Sequence, residues 1–529
     1  MRRWNGWGDD ATTYPFPDPA ARYLAALIGE GISAPDATLE QALRQVPPSR
    51  LAPHPLIRLD ALERLLHARG HSLPDWVALR CGAIQTFPDG VAYPTSDQEV
   101  RDLIIFARQQ EISLIPYGGG TSVVGHITPL PGDTPVLTVD LSRLNQLTDL
   151  DSTSRLATFQ AGVCGPDLER QLQQRGYTLG HYPQSFEQST LGGWIATRSC
   201  GQQSYYYGRI EDLFAGGRLE TCQGTLDLPP LPASAAGPDI KQMVLGSEGR
   251  LGIITSAALR IRPLPEEEAF YGIFFHQWEA GVEAVRHMAQ TRTPISMARL
   301  SDAQETETTL ALSGKEDLVR WANRGLHLLH YGPERCLLIF GVTGDRRGFD
   351  LARQQALSIC RGHGGLFTGS MIGKMWRKSR FLTPYLRNTL WERGYIVDTL
   401  ETAVPWRETL STAQEVKGAL GEGLAAVDER VLVFAHLSHV YRDGASIYTT
   451  YLFRRAADPG ETLERWQRLK AAASQVIVSH HGTISHQHGV GVDHAPYLEA
   501  EKGTVGMRLL RATAQCLDPD GIMNPGKLF

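Results

Sequence analysis

The chain lacks the features of a disulfide-bonded, zinc-ribbon or membrane-spanning protein. Its 7 cysteines are odd in number and widely spaced, and none forms a Cys-x-x-Cys pair, which is typical of a reducing compartment. No run approaches the roughly 20 uninterrupted apolar residues of a membrane span. The N-terminal stretch MRRWNGWGDD lacks the apolar core of a signal peptide, and the C-terminus is Lys-Leu-Phe rather than the peroxisomal Ser-Lys-Leu. We therefore expect a cytoplasmic protein.

The chain also lacks an excess of positive charge. Its 52 Lys and Arg against 57 Asp and Glu give a net charge of -5, so no global basic field is available to attract nucleic acid. Any anion must be met by a local cluster of basic groups. The 529 residues are 42% hydrophobic and 21% charged, which predicts a folded protein with two or more packed units. Glycine is abundant, with 53 residues in clusters, and predicts several close approaches between backbone and a ligand.

Hydrophobic patterns divide the chain into four regions. Residues 1–84 carry short helical patterns, including one over residues 56–70, and predict a helical extension. Residues 85–265 contain short β-rich runs separated by helices and glycine turns. The pattern over residues 266–470 predicts a second sheet with helices. The pattern over residues 471–529 predicts a helix, and this region also contains a histidine cluster and a Pro-Gly near the C-terminus. The pattern predicts an α+β fold.

The most informative local motif is Pro-Tyr-Gly-Gly-Gly-Thr-Ser at residues 116–122, directly after a strand-like run. Successive glycines expose consecutive backbone N–H groups and permit positive φ, and such a loop can cradle a pyrophosphate. The loop is neither Gly-x-Gly-x-x-Gly nor a P-loop. The alternative is a tight strand-to-helix turn.

Two further glycine loops are ambiguous when taken alone: residues 189–194, which lead into Thr-Arg-Ser-Cys-Gly at 197–201, and residues 246–255. In this order and spacing, the three loops resemble the FAD-binding domain of the vanillyl-alcohol-oxidase or p-cresol-methylhydroxylase (PCMH) type. The resemblance implies that domain together with a cap domain of antiparallel sheet and flanking helices. The residues to which it assigns contacts with FAD are Pro116, Tyr117, Gly118, Gly119, Gly120, Thr121, Ser122, Gln184, Ser185, Ser189, Thr190, Gly193, Thr197, Arg198, Ser199, Cys200, Glu248, Gly249, Leu251, Gly252, Ile253, Ile254 and Asn524.

The resemblance also bears on how FAD is held. Members with a covalent flavin present a histidine or cysteine in the first loop or the nearby cap, whereas this loop has Tyr117 and Thr121. We therefore expect non-covalent FAD and a structural role for His126.

Several segments are similar to the alkyldihydroxyacetonephosphate synthase family over almost the full length: Trp-Asn-Gly-Trp-Gly at residues 4–8, residues 189–194, Tyr-Gly-Arg-Ile-Glu-Asp-Leu at 207–213, and Ser-His-Gln-His-Gly-Val-Gly at 485–491. The resemblance implies exchange of the acyl chain of acyl-dihydroxyacetone phosphate for a fatty alcohol in ether lipid synthesis. The exchange uses an adduct at flavin N5 and involves no net redox change. The resemblance further implies a homodimer, a tunnel for a long alkyl chain and peripheral contact with a membrane.

Three side chains are assigned roles by the same resemblance. Arg387 matches the substrate-binding arginine of the family, and a guanidinium fork suits a phosphate. Arg299 matches another arginine required for activity, and Tyr448 matches the catalytic tyrosine. The alternatives are a solvated surface position for either arginine and a packed strand aromatic for the tyrosine.

Histidine is concentrated near the C-terminus, where 5 of the 17 lie within residues 480–494. His486 and His488 stand at period two, so on an extended segment both would face one substrate. Neutral imidazole near pH 7 can accept or donate a proton, and we expect both to be catalytic. A metal pair is the alternative, but no third-ligand motif accompanies it and we expect no metal.

Two departures from the family pattern leave a second function open. Gln487 stands where the family usually has a histidine, and residues 518–527, Asp-Pro-Asp-Gly-Ile-Met-Asn-Pro-Gly-Lys, are typical of FAD-linked 2-hydroxyacid dehydrogenases. In a dehydrogenase, His488 would abstract the hydroxyl proton while hydride passes to flavin N5, and Arg387 or Arg299 would hold the carboxylate. That enzyme would need a small polar pocket. A flavin-binding protein without catalysis is a third, poorly motivated alternative.

Overall fold

Three large β-sheets and a two-stranded pair, residues 177–178 with 262–263, organise residues 2–312 and 323–529, the part of the chain that the computed structural model describes. The strands are β1 (Ile57–Arg58), β2 (Gly90–Ala92), β3 (Ser113–Tyr117), β4 (Val136–Asp140), β5 (Leu147–Asp151), β6 (Leu156–Gln160), β7 (Tyr177–Thr178), β8 (Phe214–Thr221), β9 (Gly224–Leu228), β10 (Ile253–Arg260), β11 (Arg262–Pro263), β12 (Glu267–Phe275), β13 (Met297–Ser301), β14 (Cys336–Gly344), β15 (Leu366–Phe367), β16 (Tyr395–Pro405), β17 (Leu432–Val440) and β18 (Gly444–Arg454).

Helices cover the sheets and connect them. They are α1 (Asp18–Ile28), α2 (Leu39–Leu43), α3 (Ala61–Leu66), α4 (Leu73–Cys81), α5 (Asp97–Gln109), α6 (Gly165–Gln173), α7 (Leu191–Thr197), α8 (Ser204–Tyr207), α9 (Ile210–Leu213), α10 (Lys241–Val244), α11 (Trp278–Gln290), α12 (Ala303–Leu312), α13 (Arg346–Gly362), α14 (Met371–Ser379), α15 (Thr383–Glu392), α16 (Trp406–Glu422), α17 (Pro459–Ser479) and α18 (Leu498–Leu517). Residues 323–328 are also helical. The expected α+β class is confirmed.

Two sheets form the half of the molecule that carries the glycine loops. In the first, with order β1-β2-β4-β3, β2, β4 and β3 run parallel and β1 is antiparallel. The second, with order β5-β6-β10-β8-β9, is antiparallel throughout. Because β3 ends at Tyr117, the first sheet delivers the 116–122 loop directly from its carboxyl edge.

Local capping and strand pairing decide where helices begin in this half. Helix α5 begins after Ser96, whose side chain accepts a hydrogen bond from the Glu99 N–H. The helical pattern over residues 56–70 is only partly helical, because residues 57–58 pair with β2 and Asp60 caps the short helix α3. Strand pairing therefore overrides the helical spacing at the start of that segment.

The third sheet has seven antiparallel strands in the order β15-β12-β14-β13-β17-β18-β16. Apolar residues of β12, β13, β14 and β17 form its largest core together with α11 and α13. The register places both His436 and Glu401 opposite Tyr448, from β17 on one side and β16 on the other. The sheet thereby brings together groups that are far apart in sequence.

Both ends of the chain return to this framework. The Trp7 backbone exchanges two hydrogen bonds with the side-chain amide of Asn388 on α15, at 3.0 and 2.9 Å. Near the C-terminus, the Asn524 N–H donates to the Leu114 carbonyl of β3 at 2.7 Å. All seven cysteines are free. Among the described residues, no helix has the length and apolarity needed to cross a bilayer.

Candidate functional site

A large cavity, with a volume of about 1280 Å³, runs from the glycine loops to the seven-stranded sheet. One end is lined by backbone and hydroxyl groups of the loops. The middle is lined by polar side chains of β13, β16, β17 and β18, and the far end by apolar residues near α14. The cavity thus joins three chemically different environments.

Glycine is required where the first two loops meet. A Cβ added at Gly118 would lie 2.2 Å from Thr190 Oγ1, and one at Gly119 would lie 1.8 Å from the Gln188 carbonyl oxygen. Gly120 has a φ of +71°, which disfavours any residue with a side chain. The two loops therefore pack backbone to backbone and leave peptide groups to line the cavity, as a pyrophosphate cradle requires.

Most of the residues predicted to contact FAD line this cavity. They are Pro116, Tyr117, Gly118, Gly119, Gly120, Thr121, Ser122, Gln184, Ser185, Ser189, Thr190, Gly193, Thr197, Ser199, Cys200, Glu248, Gly249, Gly252, Ile254 and Asn524. Arg198, Leu251 and Ile253 do not line it. Leu251 and Ile253 are buried in two hydrophobic cores, and the Arg198 guanidinium lies 3.5 Å from the Glu211 carboxylate. In the second and third motifs successive side chains point in different directions, so these three side chains leave the cavity although their sequence neighbours line it.

His126 ties the first loop to the third. Its Nδ1 lies 2.7 Å from Ser122 Oγ, and its Nε2 lies 3.1 Å from the Glu248 carboxylate. Glu248 also accepts the Gly491 N–H at 2.8 Å, and Asn524 donates to the Glu248 carbonyl at 2.7 Å. Although His126 lines the cavity, these contacts agree with the structural role expected for it.

Arg299 and Tyr448 belong to one connected group on the seven-stranded sheet. Arg299 donates to the Glu305 carboxylate at 2.8 Å, and His436 Nδ1 lies 3.0 Å from the same oxygen. Burial opposes the charge of Glu305, but Arg299 and His436 outweigh it and lower the Glu305 pKa to about 2. Tyr448 donates to Thr399 Oγ1 at 3.1 Å. The phenol is protonated at neutral pH, as an ordinary tyrosine is, and burial raises the Tyr448 pKa further above that range.

The structure separates the two histidines that were expected to face one substrate. His488 lines the cavity with its ring 5.8 Å from the ring of Tyr448, and burial lowers its pKa to about 4. His486 lies behind the cavity wall, where its Nε2 is 2.6 Å from Tyr441 Oη and its Nδ1 is 3.2 Å from Glu401. Residues 485–490 do not form a strand, so the period-two argument does not apply to them.

Glu401, His439 and His486 form a buried group whose potential ligand atoms lie within 4.8 Å of one another. His488 is not part of it. The His439 and His486 rings are stacked, with centroids 5.1 Å apart and planes 24° apart, and the Arg209 guanidinium lies 3.5 Å from His486 Nε2. Stacked rings direct their in-plane lone pairs side by side, and the nearby cation opposes a metal ion. We therefore interpret the group as part of a polar network, in which Glu401 lies 3.2 Å from His486 Nδ1 and accepts a hydrogen bond from the Gln487 amide at 2.6 Å.

Arg387 lines the cavity from α15. One guanidinium nitrogen donates to the His71 carbonyl, and the guanidinium carbon lies 4.4 Å from the centroid of the Trp76 ring. Its other terminal nitrogen, Nη2, is buried without a hydrogen-bond partner among residues 2–312 and 323–529. A cation held in this way has an unused donor for an anionic ligand.

The far end of the cavity is apolar and reaches the surface. Its lining includes Phe274, Met297, Leu326, Leu329, Leu337, Ile339, Met371, Ile372, Met375 and Trp376. Three of these apolar side chains are exposed at the mouth: Leu329 by 54%, Met371 by 63% and Met375 by 42%. Helix α14 adds the basic residues Lys374, Arg377 and Lys378. We call this surface of exposed apolar and basic side chains the mouth patch.

Sequence reasoning missed His436, Glu305, Glu401 and His71. The first three are assembled by strand register and by the helix that follows β13, and a short motif does not show such relationships. His71 lies in the N-terminal region, which has no glycine-loop or active-site motif. The only available signal was the matched Trp-Asn-Gly-Trp-Gly segment, whose Trp7 packs against His71 with ring centroids 4.9 Å apart.

Comparison with known proteins agrees with this geometry. The family described as "FAD binding domain" matches residues 88–227, and the family described as "FAD linked oxidases, C-terminal domain" matches residues 264–528. The chain therefore has an FAD-binding domain, and the expected cofactor is confirmed. The PCMH-type fold class is also confirmed.

Similar proteins and solved structures cover most of the chain. The alkyldihydroxyacetonephosphate synthase of Dictyostelium discoideum is 32% identical over 477 residues, covering 89% of this chain and 78% of that protein. The Caenorhabditis elegans protein of the same name is 32% identical, covering 89% of this chain and 81% of that protein. A solved alkyldihydroxyacetonephosphate synthase structure aligns with a TM-score of 0.85 at 28% identity, covering 99% of this chain and 98% of that one. The chain belongs to the alkyldihydroxyacetonephosphate synthase family.

Proposed function

We propose that this protein is an FAD-dependent enzyme that exchanges the acyl chain of acyl-dihydroxyacetone phosphate for a fatty alcohol. The observation that carries the proposal is the composition of the cavity. It has a peptide-lined cradle at one end and an arginine with an unused donor in the middle. Its apolar far end, which we call the apolar arm, opens at the mouth patch. These environments suit FAD, a phosphate and an alkyl chain, in that order.

The residues present fit FAD. The first two loops meet at distances that only glycine permits, and their backbone faces the cavity, which suits the pyrophosphate. The first loop offers no histidine or cysteine, and we propose that FAD is held without a covalent bond. When bound, FAD supplies the flavin nitrogen at which the family's exchange takes place.

Three polar groups of the cavity have roles in this proposal. Arg387 binds the substrate phosphate through its unused donor, and Tyr448 presents a protonated phenol to the cavity. His488 is neutral at pH 7 because burial lowers its pKa to about 4, and it accepts the proton that the alcohol gives up.

Two of the predicted catalytic residues take indirect roles. Arg299 acts through Glu305 and His436, whose ring is stacked on Tyr448. His486 acts as a positioning residue through Glu401, which also holds Gln487 next to His488. Gln487 lines the cavity but cannot shuttle a proton.

The apolar arm favours a lipid over a small 2-hydroxy acid. A dehydrogenase of small polar substrates has no use for a passage lined by Met297, Ile339 and Ile372. Relatives named for oxidation are less similar than the 32% relatives: the glycolate oxidase subunit GlcD of Bacillus subtilis is 27% identical, and the D-2-hydroxyglutarate dehydrogenase of Stutzerimonas stutzeri is 25% identical. Arg387 and His488 would suit either reaction, so the apolar lining is the feature that separates the two.

The mouth patch supports peripheral contact with a membrane. Exposed methionines next to lysines and an arginine on one helix suit insertion at an anionic lipid surface. Such contact would let the alkyl chain enter the arm without crossing water. We also propose that the protein is cytoplasmic and that it forms a homodimer. Light scattering of the purified protein would test the homodimer.

An arm-blocking variant tests the proposal. We expect Ile372→Trp to lower the rate with hexadecanol by about tenfold while leaving the rate with butanol near that of the wild type, because about ten buried CH2 groups no longer fit. Ile240→Trp, at a position 49% exposed outside the cavity lining, is the control. An equal loss with both alcohols would contradict the assignment of the arm.

A further inference from the structure

His71 is a buried side chain of the cavity wall for which the proposed reaction has so far given no role. It is 6% exposed and lines the cavity just before helix α4. Its ring lies between those of Trp7 and Trp76, with centroid distances of 4.9 and 6.2 Å. The two indoles hold the imidazole in one orientation.

The hydrogen bonding of His71 fixes its tautomer. The Trp76 indole N–H lies 3.1 Å from His71 Nδ1. An indole nitrogen can only donate, so Nδ1 must carry the lone pair and the proton must sit on Nε2. Burial, followed by the charges of Arg387 and Arg2, lowers the His71 pKa well below its ordinary value. His71 is therefore a neutral donor that keeps its Nε2 proton across the physiological pH range.

Backbone contacts connect His71 to both neighbouring sites. Its N–H donates to the Ser122 carbonyl of the first glycine loop at 2.6 Å, and its carbonyl accepts from Arg387 Nη1. No hydrogen bond joins Nε2 to any residue within 2–312 or 323–529, and Arg387 Nη2 is likewise without a partner there. His71 Nε2 and Arg387 Nη2 are thus two N–H donors without a partner there, and they belong to residues that are hydrogen-bonded to each other in one wall of the cavity.

We propose that His71 is a further ligand-binding residue, which pairs with Arg387 to hold a phosphate group in the cavity. The neutral N–H and the guanidinium would each donate to a phosphate oxygen, and the backbone bond between the two residues sets their spacing. This inference rests on the proposed function and deepens it by adding a second donor to the substrate's phosphate site. The pyrophosphate of FAD offers the same chemistry, so the experiment must separate the two sources.

The test uses FAD-loaded protein titrated with dihydroxyacetone phosphate by isothermal titration calorimetry. We expect His71→Phe to weaken binding by at least about tenfold, because it removes one donor to a charged group and preserves the ring shape. His71→Gln keeps an N–H near the Nε2 position and should stay within about threefold of the wild type. His287→Phe, on an exposed face of α11, is the control and should match the wild type.

A second experiment follows FAD itself: it measures the rate at which flavin fluorescence appears as the cofactor dissociates. We expect that rate to be unchanged in His71→Phe and His71→Gln. The proposal would be overturned if His71→Phe bound dihydroxyacetone phosphate as the wild type does, whether or not that variant released FAD faster. It would also be overturned if the wild type did not bind dihydroxyacetone phosphate.

Two outcomes keep the test decisive. If His71→Phe does not fold, Trp76→Phe should still weaken binding, because it retains a ring under Arg387 but frees the Nδ1 lone pair that fixes the tautomer. If binding depends on His71 but no ether is formed from acyl-dihydroxyacetone phosphate and alcohol, the phosphate site stands and the proposed function fails.

Discussion

The ring of His436 is stacked on the ring of Tyr448, with centroids 4.9 Å apart and planes 17° apart. The two residues are direct neighbours on β17 and β18. Because Glu305 and Arg299 hold the other side of His436, the stack fixes the phenol in the cavity wall. The Arg299 guanidinium lies 3.3 Å from His436 Nδ1 and is thus linked to Tyr448 through the His436 ring.

Tyr448→Phe should remove the phenolic hydroxyl and keep the ring that stacks on His436. We expect the rate of ether formation to fall by at least about 100-fold, which is the usual contribution of a general acid or base. FAD content should stay that of the wild type. Tyr271→Phe, buried in the core of the same sheet, is the matched control. A Tyr448→Phe rate within about threefold of the wild type would show that the phenol has no catalytic role.

Gly119→Ala should prevent the first two loops from meeting. The added Cβ would lie 1.8 Å from the Gln188 carbonyl oxygen, so the backbone must move and the cradle opens. We expect purified protein with less than about one tenth of the wild-type FAD content, measured by flavin absorbance after denaturation. Gly421→Ala is the control, since nothing lies within 4 Å of a Cβ there. Normal FAD content in Gly119→Ala would contradict the location of the cradle.

Buried neutral histidines should make the protein less stable as pH falls. Burial is the main cause that lowers the pKa of His181 and of His439 to about 3. Between pH 6.5 and 3 the unfolded chain binds a proton at each position and the folded chain does not. The free energy of unfolding should therefore fall by up to about 1.4 kcal/mol per pH unit for each group.

Urea unfolding of the FAD-loaded protein at pH 7, 6 and 5 measures this slope. His181→Phe should reduce it, whereas replacement of the exposed His327 should not. A slope below pH 6.5 that is identical in His181→Phe and the wild type would contradict a buried neutral His181.

Charge placed in the mouth patch should prevent lipid binding. Met371→Glu combined with Met375→Glu removes apolar contact and adds repulsion from anionic lipid. We expect co-flotation with phosphatidylglycerol vesicles to fall at least about tenfold. Val505→Glu, at an exposed apolar position of α18, is the control and should float like the wild type. Equal flotation of the double variant would exclude the mouth patch as the membrane contact.

The cofactor cradle could be predicted from the sequence because it is built from local motifs. Three consecutive glycines after a strand define a loop whatever surrounds it, and residues 116–122 all line the cavity. The motif could not show that Leu251 and Ile253 turn into the cores, since that depends on which side of the chain each side chain leaves.

The polar wall could be predicted only in part, because it depends on sheet register and on distant segments. Tyr448 was predicted by resemblance and His488 from the histidine cluster, but the stack of His436 on Tyr448 arises from the pairing of β17 with β18. The expectation that His486 and His488 face one substrate does not hold, because residues 485–490 do not form a strand. His71 came from a region without a glycine-loop or active-site motif, and tertiary packing alone brings it to the cavity.

The most direct measurement uses purified FAD-loaded protein under anaerobic conditions with palmitoyl-dihydroxyacetone phosphate and hexadecanol, and separately with a panel of 2-hydroxy acids. Products are identified by mass spectrometry while the flavin spectrum is followed. We predict an alkyl ether product, released palmitate and oxidised flavin at the end, with no bleaching by any hydroxy acid. Bleaching of the flavin by a hydroxy acid, with no ether formed, would contradict the account.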